Sequence, residues 1–98
     1  MSQPLRLLPE AKDEFDKAAD RYEAQRPGLG VDFVVKVREV LHRIAANPCL
    51  HRKVYGDVRK AVVQRFPFIV LYEEETGEVV VISVFHTSRN PADWQSRV

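Results

Sequence analysis

Two amphipathic stripes separated by a three-residue turn constrain this sequence more than any other feature. In both stripes apolar residues recur at steps of three and four, as expected for a helix with one buried face. The first stripe contains Ala11, Phe15, Ala18, Ala19 and Tyr22, and the second contains Leu29, Phe33, Val37, Val40 and Ile44. Pro9 suits the first turn of a helix, and Arg26-Pro27-Gly28 is a turn sequence. Such a short connection predicts that a helix near 9–25 and a second one, which begins near 29–32 and runs to 46, fold back as an antiparallel hairpin.

Beyond Asn47-Pro48 the pattern changes from helix to strand. Residues 58–64, 66–73 and 79–86 are rich in β-branched and aromatic side chains. Residues 49–57 indicate a loop with a turn at Gly56-Asp57, and Leu5–Leu8 indicates a short first strand. We therefore expect one α+β domain over residues 1–98, with an N-terminal strand, the helical hairpin and a three-stranded antiparallel meander forming one small sheet.

Composition excludes several function classes for this 98-residue chain. Phosphate-binding glycine loops, zinc-type cysteine pairs and nucleophile-elbow motifs do not occur, and the single Cys49 indicates a reducing environment. We expect neither a metal nor a cofactor. The sequence has no apolar run long enough for a membrane span and no signal-peptide pattern, so we expect a cytoplasmic protein without membrane contact.

Charge is distributed unevenly along the chain. The net charge is only +1, but residues 49–65 carry five basic side chains against Asp57 alone. Local fields rather than totals attract an anionic partner. The basic side chains of this segment are Arg52, Lys53, Arg59, Lys60 and Arg65.

Three of the candidate residues have both a structural and a functional interpretation. Arg59 and Arg65 lie six residues apart on a predicted strand and would share one face, where guanidinium groups bind phosphate or a partner, or remain solvated. His86 ends the last strand, so it either caps the strand by bonding into the following loop or transfers a proton.

Two aromatic residues carry the same ambiguity. Tyr22 lies on the apolar face of the first helix, which favours core packing with its hydroxyl at the rim. Trp94 follows Pro91 and is expected to fold back over the sheet edge or the helices as a clamp, with base stacking as the alternative.

Several segments, in order, make the chain similar to the RelE/ParE superfamily of toxins from bacterial type II toxin–antitoxin systems. They include Pro27-Gly28-Leu29-Gly30, Arg65-Phe66-Pro67-Phe68 and, most specifically, Val84-Phe85-His86-Thr87-Ser88-Arg89-Asn90-Pro91-Ala92-Asp93-Trp94. The resemblance implies a RelE/ParE-like fold and a toxin held inactive by a cognate antitoxin protein in a hetero-oligomer.

Two branches of the superfamily imply two targets. The long hairpin resembles ParE-like chains, which implies a non-enzymatic inhibitor of DNA gyrase. The alternative is a RelE-like, metal-independent endonuclease that cleaves mRNA on the ribosome, and a third interpretation is a partner-binding domain without toxicity. The nuclease would use Arg59, Arg65, His86 and Arg89 as catalytic residues, whereas the expected partner-binding residues are Tyr22, Arg52, Lys53, Arg59, Arg65 and Trp94.

Overall fold

The helical hairpin of the sequence prediction is confirmed. The computed structural model describes residues 2–98, whose elements in chain order are β1 (Leu5–Leu7), α1 (Pro9–Gln25), α2 (Leu29–Ala46), β2 (Lys53–Tyr55), β3 (Val58–Val62), β4 (Phe68–Glu75), β5 (Glu78–His86) and α3 (Ala92–Gln95). At the turn, Gly28 adopts a left-handed conformation with φ of 90°. The Glu23 carboxylate accepts hydrogen bonds from the backbone N–H groups of Gly28 and Gly30, at 2.9 and 3.0 Å. It thereby satisfies donors at the start of α2 that have no partner within the helix.

Gly30 lets the two helices approach closely. A Cβ atom at this position would lie 2.5 Å from the backbone oxygen of Ala19. Because that oxygen belongs to the α1 backbone and cannot swing away, the crossing requires glycine at residue 30.

The sheet is larger than the predicted three-stranded meander. Its five strands have the order β1-β5-β4-β3-β2, with β1 parallel to β5 and all other pairs antiparallel. The predicted meander is present as β3, β4 and β5, but it is flanked on both sides. The expected loop at 49–57 is wrong in part, because Lys53–Tyr55 forms β2 against β3 across the turn at Gly56. All three β2 residues are exposed, so no apolar alternation marked them as a strand.

The connection between β3 and β4 also differs from the prediction. The strands end and begin at Val62 and Phe68 instead of Gln64 and Phe66, and Arg65 lies between them in a left-handed conformation with φ of 70°. Arg59 and Arg65 therefore do not share a strand face. The strand pattern was misleading here because Phe66 is apolar for another reason, its packing against the helices.

Both faces of the sheet are covered. On the hairpin face, Phe33 is fully buried among the rings of Phe15, Tyr22, Phe66 and Phe68, at centroid distances from 4.9 to 5.9 Å. On the opposite face, Trp94 of α3 packs against a smaller cluster consisting of Val58, Leu71, Ile82 and Phe85. This arrangement explains why both alternating sets of β4 are apolar.

Candidate functional site

The loop that precedes β2 is anchored to the sheet by two side chains. The hydroxyl of Tyr72 donates to the carbonyl oxygen of Pro48 at 2.7 Å, and Nη1 of Arg59 donates to the carbonyl oxygen of His51 at 2.6 Å. A second, longer bond joins Nη1 of Arg59 to the carbonyl oxygen of Cys49 at 3.4 Å. Arg59 therefore holds the basic loop in place, so part of its guanidinium is already engaged.

His51 is held in one tautomer by the same network. Because the Tyr72 hydroxyl gives its proton to Pro48, it accepts one from Nδ1 of His51, at 3.3 Å. Burial, together with the nearby charges of Arg43 and Arg59, lowers the pKa of His51 below its usual value of 6.5.

The His51 environment predicts a pH dependence of stability. A depressed pKa means that the unfolded chain takes up a proton more readily than the folded chain. The contribution of His51 to the free energy of unfolding is therefore present above pH 6.5, the pKa of the unfolded chain. It is lost as the pH falls through the lower pKa of His51 in the folded chain. Urea unfolding between pH 7.5 and 5 should show this decline, and His51→Gln should flatten it relative to the parent chain. An identical slope in both proteins would contradict the assignment.

The remaining basic residues of the segment are more accessible. Arg52 and Lys53 are exposed at the β2 edge of the sheet, where Lys53 makes an exposed ion pair with Asp57 at 3.1 Å. Such surface pairs contribute little to stability. Arg52 and Lys53 are therefore available to a partner at this edge.

His86 caps its strand, as the structural interpretation expected. Its Nδ1 accepts the backbone N–H of Ser88 at 3.0 Å and lies 2.7 Å from the Ser88 hydroxyl. Because a backbone N–H can only donate, Nδ1 carries no proton, and Nε2 carries the proton of the neutral ring. The ring also packs edge-on against Phe68 at 5.1 Å. In this state the free nitrogen of His86 is a hydrogen-bond donor.

Glu14 is the centre of an ionic network that the sequence did not reveal. Its carboxylate is only 12% exposed and accepts a bidentate pair from Arg97 at 2.9 and 3.2 Å. It also accepts from the Ser83 hydroxyl at 2.8 Å and from Nη1 of Arg89 at 2.7 Å. The network joins α1, β5 and the C-terminal segment. Its most distant members, Glu14 and Arg97, are 83 residues apart in the chain.

A β-bulge explains why Arg97 reaches β5. Leu71 pairs with Ser83 and Tyr72 pairs with Val81, so Ile82 is an extra residue on β5. Nη1 of Arg97 donates to the carbonyl oxygen of Ile82 at 3.0 Å. Arg97 thus bonds both the bulge and the carboxylate that lies beside it.

Arg89 is engaged by the protein itself. In addition to Glu14, its guanidinium contacts the Asp93 carboxylate at 3.1 Å and lies 5.1 Å from the centre of the Phe85 ring. His86 and Arg89 line an open cleft of about 390 Å³ beside α1, and neither Arg59 nor Arg65 lines it.

The proposed catalytic set is spread over the molecule. Arg59 is paired with Tyr72, whereas His86 is paired with Phe68, which comes four residues earlier in β4. At strand spacings this separates Arg59 from His86 by about 13 Å along the sheet and about 10 Å across it. Arg65 lines a different cavity, at the turn end of the hairpin.

The two aromatic candidates are packing residues. Tyr22 is half-buried, with its ring 4.9 Å from Phe66 and 5.2 Å from Phe33, and burial raises the pKa of its hydroxyl. Trp94 is 4% exposed and folds back over the sheet, as one of the two expectations had it, but it covers the face opposite the hairpin instead of the edge, and the expected contact with the helices is wrong.

Comparison with known proteins assigns the family. Residues 5–91 match the family model described as ParE toxin of the type II toxin–antitoxin system parDE. The chain belongs to the ParE toxin family. No curated protein matches the sequence.

A solved structure shares the ParE fold. A chain from a chromosomal ParDE toxin–antitoxin system of P. aeruginosa superimposes with a TM-score of 0.77 at 19% sequence identity. The match covers 89% of the present chain and 98% of the P. aeruginosa chain. The two chains therefore share their architecture despite low sequence identity.

Two further properties concern the described part of this ParE chain. Among residues 2–98, no three His, Cys, Asp or Glu side chains are grouped so that they could hold a metal ion. Over the same residues, no helix has the length and apolar character needed to cross a membrane.

Proposed function

We propose that this ParE chain is the toxin of a type II pair, held inactive by a cognate antitoxin, and that it stops growth by inhibiting DNA gyrase. The observation that carries the proposal is the match of residues 5–91 to the ParE toxin family. The dispersal of the candidate acid–base residues supports the gyrase target over mRNA cleavage.

The positions of the candidate catalytic residues do not suit a nuclease. A general acid or base must lie within hydrogen-bond reach of the proton that it transfers, and the groups stabilising the phosphate must surround the same atoms. His86 and Arg59 are separated by about 13 Å along the sheet and by the width of β4 across it. Arg89 is paired with Glu14 and Asp93. A substrate phosphate could not contact Arg59 and His86 together.

For the antitoxin we propose an amphipathic segment that docks along the hairpin and the β2 edge. Val31 and Val35 lie one turn apart on the outer surface of α2, and their exposed fractions are 63% and 48%. The β2 edge has unpaired backbone groups flanked by Arg52 and Lys53, a surface suited to an added strand with acidic side chains. Two of the predicted partner-binding residues would then hold this edge in place: Arg59 bonds the loop before β2, and Trp94 packs against Tyr55 of β2.

Expression of the chain alone tests the target. We expect DNA synthesis, followed by pulse-labelling in the first minutes after induction, to fall while protein synthesis continues. His86→Ala should remain as toxic as the parent chain and as the control His42→Ala, which changes an exposed histidine of α2. A nuclease using His86 would instead lose about a hundredfold to ten-thousandfold in activity.

The opposite result would be clear. Immediate loss of protein synthesis with cleaved mRNA, abolished by His86→Ala but not by His42→Ala, would replace gyrase with the ribosome. Normal growth on expression of a folded chain would leave only a partner-binding role. Addition of the purified chain to a gyrase supercoiling reaction should inhibit it and accumulate cleaved DNA.

A further inference from the structure

Arg65 has an unfavourable backbone conformation. Within residues 2–98 it is the only non-glycine residue with a positive φ, at 70°. A Cβ atom makes the left-handed region unfavourable, so glycine and asparagine are the usual residues there. Residues held in such conformations cluster at functional sites.

The fold requires the turn but does not require an arginine in it. The N–H of Val63 donates to the carbonyl oxygen of Phe68 at 3.0 Å, which closes the connection around Arg65. The turn directs Phe66 into the core, where its ring lies 4.9 Å from Tyr22 and 5.2 Å from Phe33. Glycine would make the same turn more easily, so the packing of Phe66 does not account for the arginine side chain.

The Arg65 side chain lines an open cleft of about 240 Å³ between the β3–β4 connection and the N-terminal half of α2 with the preceding turn, named the Arg65 cleft. Its apolar lining comes from Leu29, Val35 and Phe66, and its cationic lining from Arg26, Lys36 and Arg65. Among the described residues, the side chains of Arg26 and Arg65 make neither an ion pair nor a hydrogen bond, and Lys36 lies 3.4 Å from Glu39. Asp32 is the one acidic residue of the lining.

We propose that the Arg65 cleft binds an acidic side chain next to a branched aliphatic one, both from a segment of the antitoxin. Two guanidinium groups without partners suit a carboxylate, which arginine binds in a bidentate manner. Leu29, Val35 and Phe66 provide the apolar surface for the aliphatic neighbour. This charge complementarity selects an acidic amphipathic segment as the occupant. The source of the segment rests on the proposed function, whereas its chemistry rests on the cleft alone.

A capped dipeptide of leucine followed by glutamate is the probe. Titrated into the isotope-labelled full chain, it should shift the amide signals of Arg65 and Phe66 and the methyl signals of Val35, with a dissociation constant in the millimolar range. The matched dipeptide with glutamine in place of glutamate should bind at least tenfold more weakly. Equal binding of the two dipeptides, or no shift at these residues, would overturn the proposal. Inorganic phosphate binding there as tightly as the glutamate dipeptide would also overturn it.

The variant Arg65→Gly separates binding from folding. It removes the guanidinium and relieves the left-handed strain, so dipeptide binding should weaken at least tenfold while the melting temperature stays equal or rises. Arg26→Ala should weaken binding in the same way, and Arg38→Ala, which changes an exposed arginine of α2, should not. A lower melting temperature for Arg65→Gly, or unchanged binding by it, would contradict the inference.

These measurements are independent of toxicity. If the chain proved not to inhibit gyrase, the dipeptide signals would remain. If the dipeptide did not bind, the gyrase experiments would still stand on their own.

Discussion

Trp94→Ala is expected to lower the free energy of unfolding by about 3–5 kcal/mol, the usual cost of removing a large buried aromatic side chain. Trp94 is 4% exposed and packs against Leu71, Ile82 and Phe85, and its ring lies 5.6 Å from that of Tyr55. Small domains have about 5–15 kcal/mol of stability in total, so this single change would remove a large part of it.

Urea unfolding followed by circular dichroism measures the effect. Trp94→Phe retains most of the apolar volume and should cost about 1–2 kcal/mol, which keeps the test informative if the alanine variant does not fold. Val98→Ala changes a half-exposed side chain of the same segment and should fall within about 0.5 kcal/mol of the parent. A loss below about 1 kcal/mol for Trp94→Ala would show that α3 does not cover the sheet in solution.

Glu14→Ala is expected to cost about 3 kcal/mol, because it leaves the Arg97 guanidinium without its carboxylate partner at a site where that side chain is only 15% exposed, with only the Ile82 carbonyl still bonded to it. The Ser83 hydroxyl and the Arg89 guanidinium also lose the carboxylate to which they donate. The penalty comes mainly from the uncompensated charge and not from the lost attraction.

A double-mutant cycle identifies that origin. The cycle compares the parent with Glu14→Leu, Arg97→Met and their combination; the combination removes both charges and retains apolar volume, so it should be more stable than Glu14→Leu alone by about 2 kcal/mol. Lys17→Ala is the control, because its exposed ion pair with Asp13 contributes little. Additive losses for Glu14 and Arg97 changes would show that the two residues are not coupled.

The helices of this protein could be predicted closely from the sequence. The 3.6-residue periodicity records which side chains face the core, and Pro9, Pro27 and Gly28 mark where helices begin and end. The central strand β4 was predictable for the same reason, since both of its faces are apolar and both are covered.

The edges of the sheet were less predictable. β1 was expected as a strand, but its parallel pairing with β5 depends on how the hairpin packs back on the sheet. β2 is exposed on every residue, so its pairing with β3 left no apolar pattern to detect. The left-handed turn at Arg65 was hidden because no glycine occupies it.

Local sequence therefore determined the helical hairpin and the predicted meander, because each depends on residues close together in the chain, whereas the resemblance to RelE/ParE toxins came from the order of several segments along it. Tertiary structure alone decided which side chains meet. Nothing in the local sequence around Glu14 marks its partners Ser83 and Arg97, which lie 69 and 83 residues away. Periodicity identifies the face on which a side chain lies, but its ionic and hydrogen-bond partners are set by the packing of distant elements. For that reason the four residues that the resemblance implied as one nuclease set do not meet: His86 and Arg89 line the cleft beside α1, whereas Arg59 anchors the loop before β2 and Arg65 lines another cleft.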